Sequence, residues 1–279
     1  MIKRILVALD LDSDTPIATR YALEVAKRTG AMVTGLAVVD MGSIESSSRG
    51  GGIGSMYFAE KLRENMTSEA RAKALELTEE FRRMVEKTSI SHVEAVEEGV
   101  PFQRIVEDMK FSDLLIVGSD PHFFYSHPTK QTHTLARIIQ KTIGPTLVVP
   151  DSYHDVKKVL FAIDGSNEAA RAVRHFLHLE PFGGGLEMMV VNVSEGDSGD
   201  AELLLKLTTS YIESHGCSVT SRLIIDGSPR ERILDEADAF GADLIVIGAH
   251  TRSTLLSEKL GDTTGHILRE ATVPVFVDH

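Results

Sequence analysis

Asp164 closes the apolar run 159–163, and Gly248 closes a second such run, 244–247. An expected strand, 186–193, ends at Val193, and a helix is expected to begin near Gly261, Asp262 and Thr263. If these runs are parallel strands, an aspartate, an open backbone segment, a glycine and a helix start all reach the same edge. That edge suits a nucleotide: a glycine lets backbone approach phosphate, and a helix N-terminus offers N–H groups and the positive end of a dipole. Asp10, Val38 and Gly118 stand in matching places in the first half. Other chemistries find less support. His122, His127 and His133 lie near Asp120, and the second half adds His250 and His266. Imidazole and carboxylate ligate zinc or manganese, but this spacing matches no ligand motif, so the histidines read as exposed loop residues and no metal is assigned. Ser166 has no neighbouring histidine in sequence, and Cys217 precedes a strand instead of sitting on an activated turn, so no catalytic residue is assigned.

The elements that would carry these residues occur twice. Lys3-Arg4-Ile5-Leu6-Val7-Ala8-Leu9-Asp10 is answered by Lys157-Lys158-Val159-Leu160-Phe161-Ala162-Ile163-Asp164, and Gly144-Pro145-Thr146-Leu147-Val148-Val149 by Val273-Pro274-Val275-Phe276-Val277. A period near half the chain is far longer than the roughly 20–50 residues of a solenoid unit, so each copy should be a domain with its own core. The expected boundaries are 1–152 and 153–279, joined by a short polar link at about 150–155. In the first half, strands are expected from residue 2 and at about 32–39, 92–96, 114–117 and 146–149. Helices are expected up to about residue 27, with Asp12, Ser13 and Asp14 as cap residues, and at about 58–86, 101–109 and 131–142. The second half repeats the order, with strands at 159–163, 186–193, 218–224, 244–247 and 275–277. Its helices fall at about 169–177, 201–214, 230–239 and 263–270. Strands apolar on both faces and alternating with amphipathic helices give a parallel sheet covered on both sides. Right-handed crossovers then make two doubly wound, five-stranded, flavodoxin-like or Rossmann-like α/β domains, with sites at the carboxyl ends of strands one and four. The last strands, 146–149 and 275–277, are short apolar edges, and pairing them would pack the halves as an intrachain pseudo-dimer. The Gly/Ser-rich segment 42–55 does not complete a dinucleotide fingerprint and follows strand two; it reads as a mobile loop, with a lid over the cleft as the alternative.

Composition narrows the class. At 42% hydrophobic residues, each half can bury a sizeable core, and the single cysteine excludes an intrachain disulfide and a thiolate metal cluster. Cys217 reads as a small, half-buried side chain. A net charge of -12 with dispersed lysines and arginines argues against a nucleic-acid surface, which needs clustered cations. No apolar run approaches the ~20 residues of a membrane span, and no signal-peptide pattern precedes the first strand. The expectation is a cytoplasmic protein without nucleic-acid or membrane partners.

With Asp164-Gly165-Ser166 after the repeated first strand, Gly241-Ala242-Asp243, and the glycines ending strand four, the chain resembles the universal stress protein family over nearly its whole length, in two copies. The resemblance implies a stress-response role and pairing of last strands. Nucleotide-binding members of that family carry Gly-x-x-Gly, nine residues, then Gly-Ser or Gly-Thr after strand four. Neither copy here keeps that loop. The first half runs Gly118-Ser119-Asp120-Pro121, nine residues, then Gln131-Thr132, and proline removes an N–H where backbone should meet phosphate. The second runs Gly248-Ala249-His250-Thr251, nine residues, then Gly261-Asp262. The resemblance therefore implies that any adenine nucleotide, ATP or AMP, belongs to the second half. Asp164 and the Val193 backbone would meet the base, while Gly248, Thr251, Arg252 and Gly261, with Thr263 nearby, would approach ribose and phosphates. Asp262 opposes a triphosphate unless it caps the last helix or shares a divalent cation brought with the nucleotide. The expected protein is non-enzymatic. The rivals are an ATP-hydrolysing relative and an interaction scaffold without a nucleotide site; association into a homodimer is left open.

Overall fold

The computed structural model describes residues 1–11, 14–47, 56–121, 123, 134–194, 199–254 and 257–279. The chain runs β1 (Arg4–Leu9), α1 (Thr15–Thr29), β2 (Met32–Asp40), α2 (Met41–Ser47), α3 (Met56–Val85), β3 (His92–Gly99), α4 (Pro101–Met109), β4 (Leu114–Gly118), α5 (Thr134–Lys141) and β5 (Thr146–Val149). It continues with β6 (Lys158–Ala162), α6 (Asn167–Leu179), β7 (Glu187–Ser194), α7 (Gly199–Ser214), β8 (Val219–Ile225), α8 (Pro229–Phe240), β9 (Leu244–Gly248), β10 (Thr251–Thr254), β11 (Ser257–Leu260), α9 (Asp262–Glu270) and β12 (Val275–Asp278).

Successive residues of a strand face opposite sides, so an uninterrupted apolar run serves two cores at once. On β1, Ile5, Val7 and Leu9 join one core while Leu6 and Ala8 join the other. On β6, Val159 and Phe161 face one side, and Leu160 and Ala162 the other. Helices α1, α3, α6 and α7 cover the first face, and α4, α5, α8 and α9 the second. Among the described residues the main sheet has ten strands in the order β3-β2-β1-β4-β5-β12-β9-β6-β7-β8. Within each half all pairings of this main sheet are parallel, and the order reverses direction between β1 and β4 and again between β6 and β9. Crevices at those reversal points are where open α/β sheets bind ligands.

The halves join as the edge argument requires. β5 and β12 pair antiparallel, Thr146 against Val277, Leu147 against Phe276 and Val148 against Val275. Phe276 is fully buried and meets Phe176 edge-on at 5.4 Å between ring centroids. Burying such a ring contributes about 1.5–3 kcal/mol. The link between the halves is itself anchored: the Tyr21 hydroxyl donates to the His154 carbonyl at 3.0 Å and accepts the His154 N–H at 2.8 Å. Tyr153 packs 4.8 Å from the Tyr21 ring, with the Arg20 guanidinium 3.5 Å over its face. Burial pushes the Tyr21 phenol up to about 12, so it stays a neutral donor throughout the working pH range. Asp113 and Asp243 play one structural role twice: Asp113 accepts the N–H groups of Lys3 and Arg4, and Asp243 those of Lys157 and Lys158.

Three expectations need correction. The segment expected to be all loop from Gly42 opens as α2, because Asp40 accepts the Ser43 N–H at 3.0 Å and Ile44, 1% exposed, joins the core. Residues 48–55, where the lid alternative would lie, are outside the described residues, as are the histidines of the altered first-half loop. Asp14 occupies the N-cap position of α1 without making the side-chain bond of a cap. Finally, the stretch between Gly248 and Gly261 is not merely a loop: β10 and β11 form an antiparallel hairpin.

Candidate nucleotide cleft

The carboxyl edge of the second half is built from its turns. Gly165 takes a φ of +83°, which a side chain would resist, and this lets the Ser166 N–H donate to Asp164 Oδ1 at 2.9 Å. Ser166 is the N-cap of α6, its hydroxyl accepting the Ala169 N–H at 3.2 Å. The first turn of α6 is pressed against the end of β9: a Cβ on Gly248 would lie 2.3 Å from the Ala169 nitrogen, so no side chain fits there. The Thr264 hydroxyl donates to the Gly248 carbonyl at 3.0 Å, fixing the first turn of α9 beside it. The Gly261 N–H donates to the His250 carbonyl at 2.8 Å, closing the base of the β10–β11 hairpin.

These contacts frame a cleft of about 590 Å³. Asp164, Val193, Gly248, Gly261, Asp262 and Thr263 all line it, so six of the eight residues expected from sequence come together. The side chains of Thr251 and Arg252 lie outside what the structure describes; their backbones lie in β10, opposite Leu260 and Lys259. Asp262 is exposed and is the first residue of α9, whose N-cap is Gly261, so the capping role is excluded. Its carboxylate instead stands at the positive end of the helix dipole.

Sequence reasoning missed three features of this edge. Ser228 and Arg230, at the start of α8, also line the cleft, and the Arg230 guanidinium is held 3.6 Å from Glu231. Asn192 is 6% exposed and donates to the Ile163 carbonyl at 2.7 Å, tying β7 to the end of β6. A lone amide inside the otherwise apolar stretch 188–193 was the available signal. The third is Asp278, 4% exposed at the end of β12, whose carbonyl accepts the Ala249 N–H at 2.6 Å and whose carboxylate bonds His175 Nδ1 on α6. Burial raises the Asp278 carboxyl above its ordinary value, and His175 opposes that rise.

The first-half edge has the same backbone plan and different contents. Asp10 is 2% exposed; its N–H donates to the Thr15 hydroxyl oxygen and its carboxylate accepts the Leu11 N–H. Asp14, 5% exposed, accepts the Ser119 N–H at 3.0 Å, and its carboxylate lies where a Cβ on Gly118 would stand, 2.0 Å away.

A duplicated, doubly wound α/β chain with paired last strands and an order reversal in each half defines the class. The model of the Universal stress protein family matches residues 1–150 and again 155–279, and the chain belongs to that family. It is 25% identical to Universal stress protein Slr1230 of Synechocystis sp., over 98% of this chain and 99% of that protein. A crystal structure of a universal stress protein from Archaeoglobus fulgidus superposes with a TM-score of 0.72 at 20% identity, covering 99% of this chain and 97% of that one. A second, from Pseudomonas aeruginosa, gives 0.65 at 16% identity over 99% and 93% of the two chains. These superpositions establish the shared fold along the whole chain. No helix among the described residues is long and apolar enough to cross a membrane.

Proposed function

We propose that the chain is a non-enzymatic stress-response factor with two domains, 1–152 and 153–279, and that the second holds an adenine nucleotide, ATP or AMP. The carrying observation is that the second-half edge opens as a cleft of about 590 Å³ around Asp164, Val193, Gly248 and the start of α9. Asp164 and the Val193 backbone would take the base, with Gly248, Gly261 and Thr263 toward ribose and phosphate; Thr251 and Arg252 would contribute through the hairpin. Asp164 and Asp262 put two carboxylates at the cleft, which favours AMP over ATP unless a divalent cation enters with the triphosphate. A hydrolytic role is disfavoured because phosphoryl transfer needs concentrated positive charge on the γ-phosphate, while both phosphate loops depart from the family's pattern and no lysine follows a glycine loop. With β5 and β12 already paired to each other, a homodimer of whole chains would form through helices or the outer strands β3 and β8. We place the protein in the cytoplasm.

The purified chain should carry, or take up from solution, one adenine nucleotide, identified by chromatography after denaturation, and should release no phosphate from ATP. Phosphate release at a rate abolished by Gly248→Val would establish the enzymatic rival instead. Failure to retain or bind any adenine nucleotide would leave the scaffold reading.

A further inference from the structure

A cluster of three ring donors lies on the first face of the sheet, away from the cleft, where the C-terminal ends of α6 and α7 meet. His178 stands in the last turn of α6, Tyr211 in the last turn of α7, and His215 in the turn that follows it. The Tyr211 hydroxyl and His178 Nε2 are 3.2 Å apart. The His215 ring centroid lies 5.2 Å from that of His178 and 4.9 Å from that of Tyr211. Both imidazoles are exposed, and the phenol is half-buried between them.

We propose that His178, Tyr211 and His215 form a surface site for one borderline divalent transition ion, such as zinc or copper. Bonds of about 2.0–2.1 Å at a tetrahedral angle place neighbouring donors about 3.3 Å apart, close to the separation of the hydroxyl and His178 Nε2. Imidazole is the ligand these ions share, which sets the class apart from the hard, oxygen-seeking calcium and magnesium. The field favours a cation as well: two helix C-termini converge here, and each carries a partial negative charge on its last carbonyls. The His178 carbonyl already accepts the Met1 ammonium at 3.3 Å, outside the ring cluster. Among the described residues no third His, Cys, Asp or Glu side chain joins the two imidazoles, and Tyr211 is the further donor brought beside them. Sequence spacing could not reveal the site, because its two histidines come from different helices and meet only in the folded sheet.

The test is titration calorimetry of the full chain with Zn²⁺, comparing the parent with His178→Ala, His215→Ala and the double variant. Because all are surface changes, circular dichroism should show the fold intact. The parent should show a site whose affinity falls at least about 10-fold in each single variant, since even groups one shell beyond a metal change its affinity that much. With Cu²⁺, the parent should show a phenolate-to-metal absorption band that Tyr211→Phe lacks. Equal Zn²⁺ binding by the parent and the double variant would overturn the site. A Cu²⁺ spectrum unaltered by Tyr211→Phe would overturn the tyrosine as ligand.

Discussion

Four residues after the aspartate that ends its first strand, each half carries an acid, Asp14 in one and Glu168 in the other, and the two acids do opposite things. The shorter Asp14 folds over the end of β4 and takes the Ser119 N–H, a backbone donor of the kind a phosphate would use. The longer Glu168 reaches outward, 3.1 Å from Arg171 and 3.8 Å from His250, and the backbone of α6 meets Gly248 directly. One methylene thus separates a carboxylate bonded over the end of β4 from one turned to Arg171 and His250. Duplication preserved the scaffold, while the ligand edge diverged.

The largest effect should come from Gly248→Val, which drives a branched side chain into the Ala169 backbone. It should cost about 1–3 kcal/mol in urea unfolding and reduce nucleotide binding below detection. Gly118→Ala should be milder, because the atom it meets is the end of the Asp14 side chain, which can turn away.

Next in size is His175→Ala, which leaves the Asp278 carboxylate buried without its imidazole partner. A loss of about 1–2 kcal/mol at pH 7 is expected, discounted because the His175 side chain is 40% exposed. The Asp278 pKa is raised above 3.8 in the folded chain, so the native state holds that proton more tightly than the unfolded state. The stability from this group is therefore full below 3.8 and is lost as pH rises through the folded value. Removing His175 raises that folded value further, so the variant's deficit should shrink on acidification. Denaturant unfolding at pH 7 and pH 4.5 measures both, and a deficit independent of pH would mean that His175 acts by packing alone.

Asp14→Ala should cost about 1 kcal/mol by releasing the Ser119 N–H, and it should not create a second nucleotide site, because Pro121 still lacks its N–H. Two bound nucleotides per chain in that variant would show that Asp14 alone closes the first half. The smallest effect is Asp262→Ser. With Asp262 exposed and excluded as a cap, its removal relieves a repulsion on the order of 1 kcal/mol or less, so ATP affinity should rise several-fold and AMP affinity less. Calorimetry that finds ATP binding weakened would mark Asp262 as a cation ligand.

How far the sequence could be read follows from these residues. The apolar runs ending in Gly118 and Gly248 located the strands, because a doubly buried strand has no other composition, and the unprotected runs 146–149 and 275–277 foretold the seam. Helix α2 was hidden because glycine and serine outweighed the single anchoring Ile44. Asp14 was read as a cap because its local sequence suits one, whereas its partner Ser119 lies far along the chain. Arg230 follows the same rule: that it lines one cleft with Asp164 depends on how β6, β7 and β8 are ordered in the sheet, not on any local pattern.

The contrast between the halves is tested most directly by photolabelling the full chain with an azido-adenine nucleotide and mapping the modified peptides, with excess AMP as competitor. The label should fall within 153–279, near Asp164, Val193 or the start of α8, and AMP should displace it. Competable label in the peptides around Asp10, Val38 or Gly118 would contradict the account.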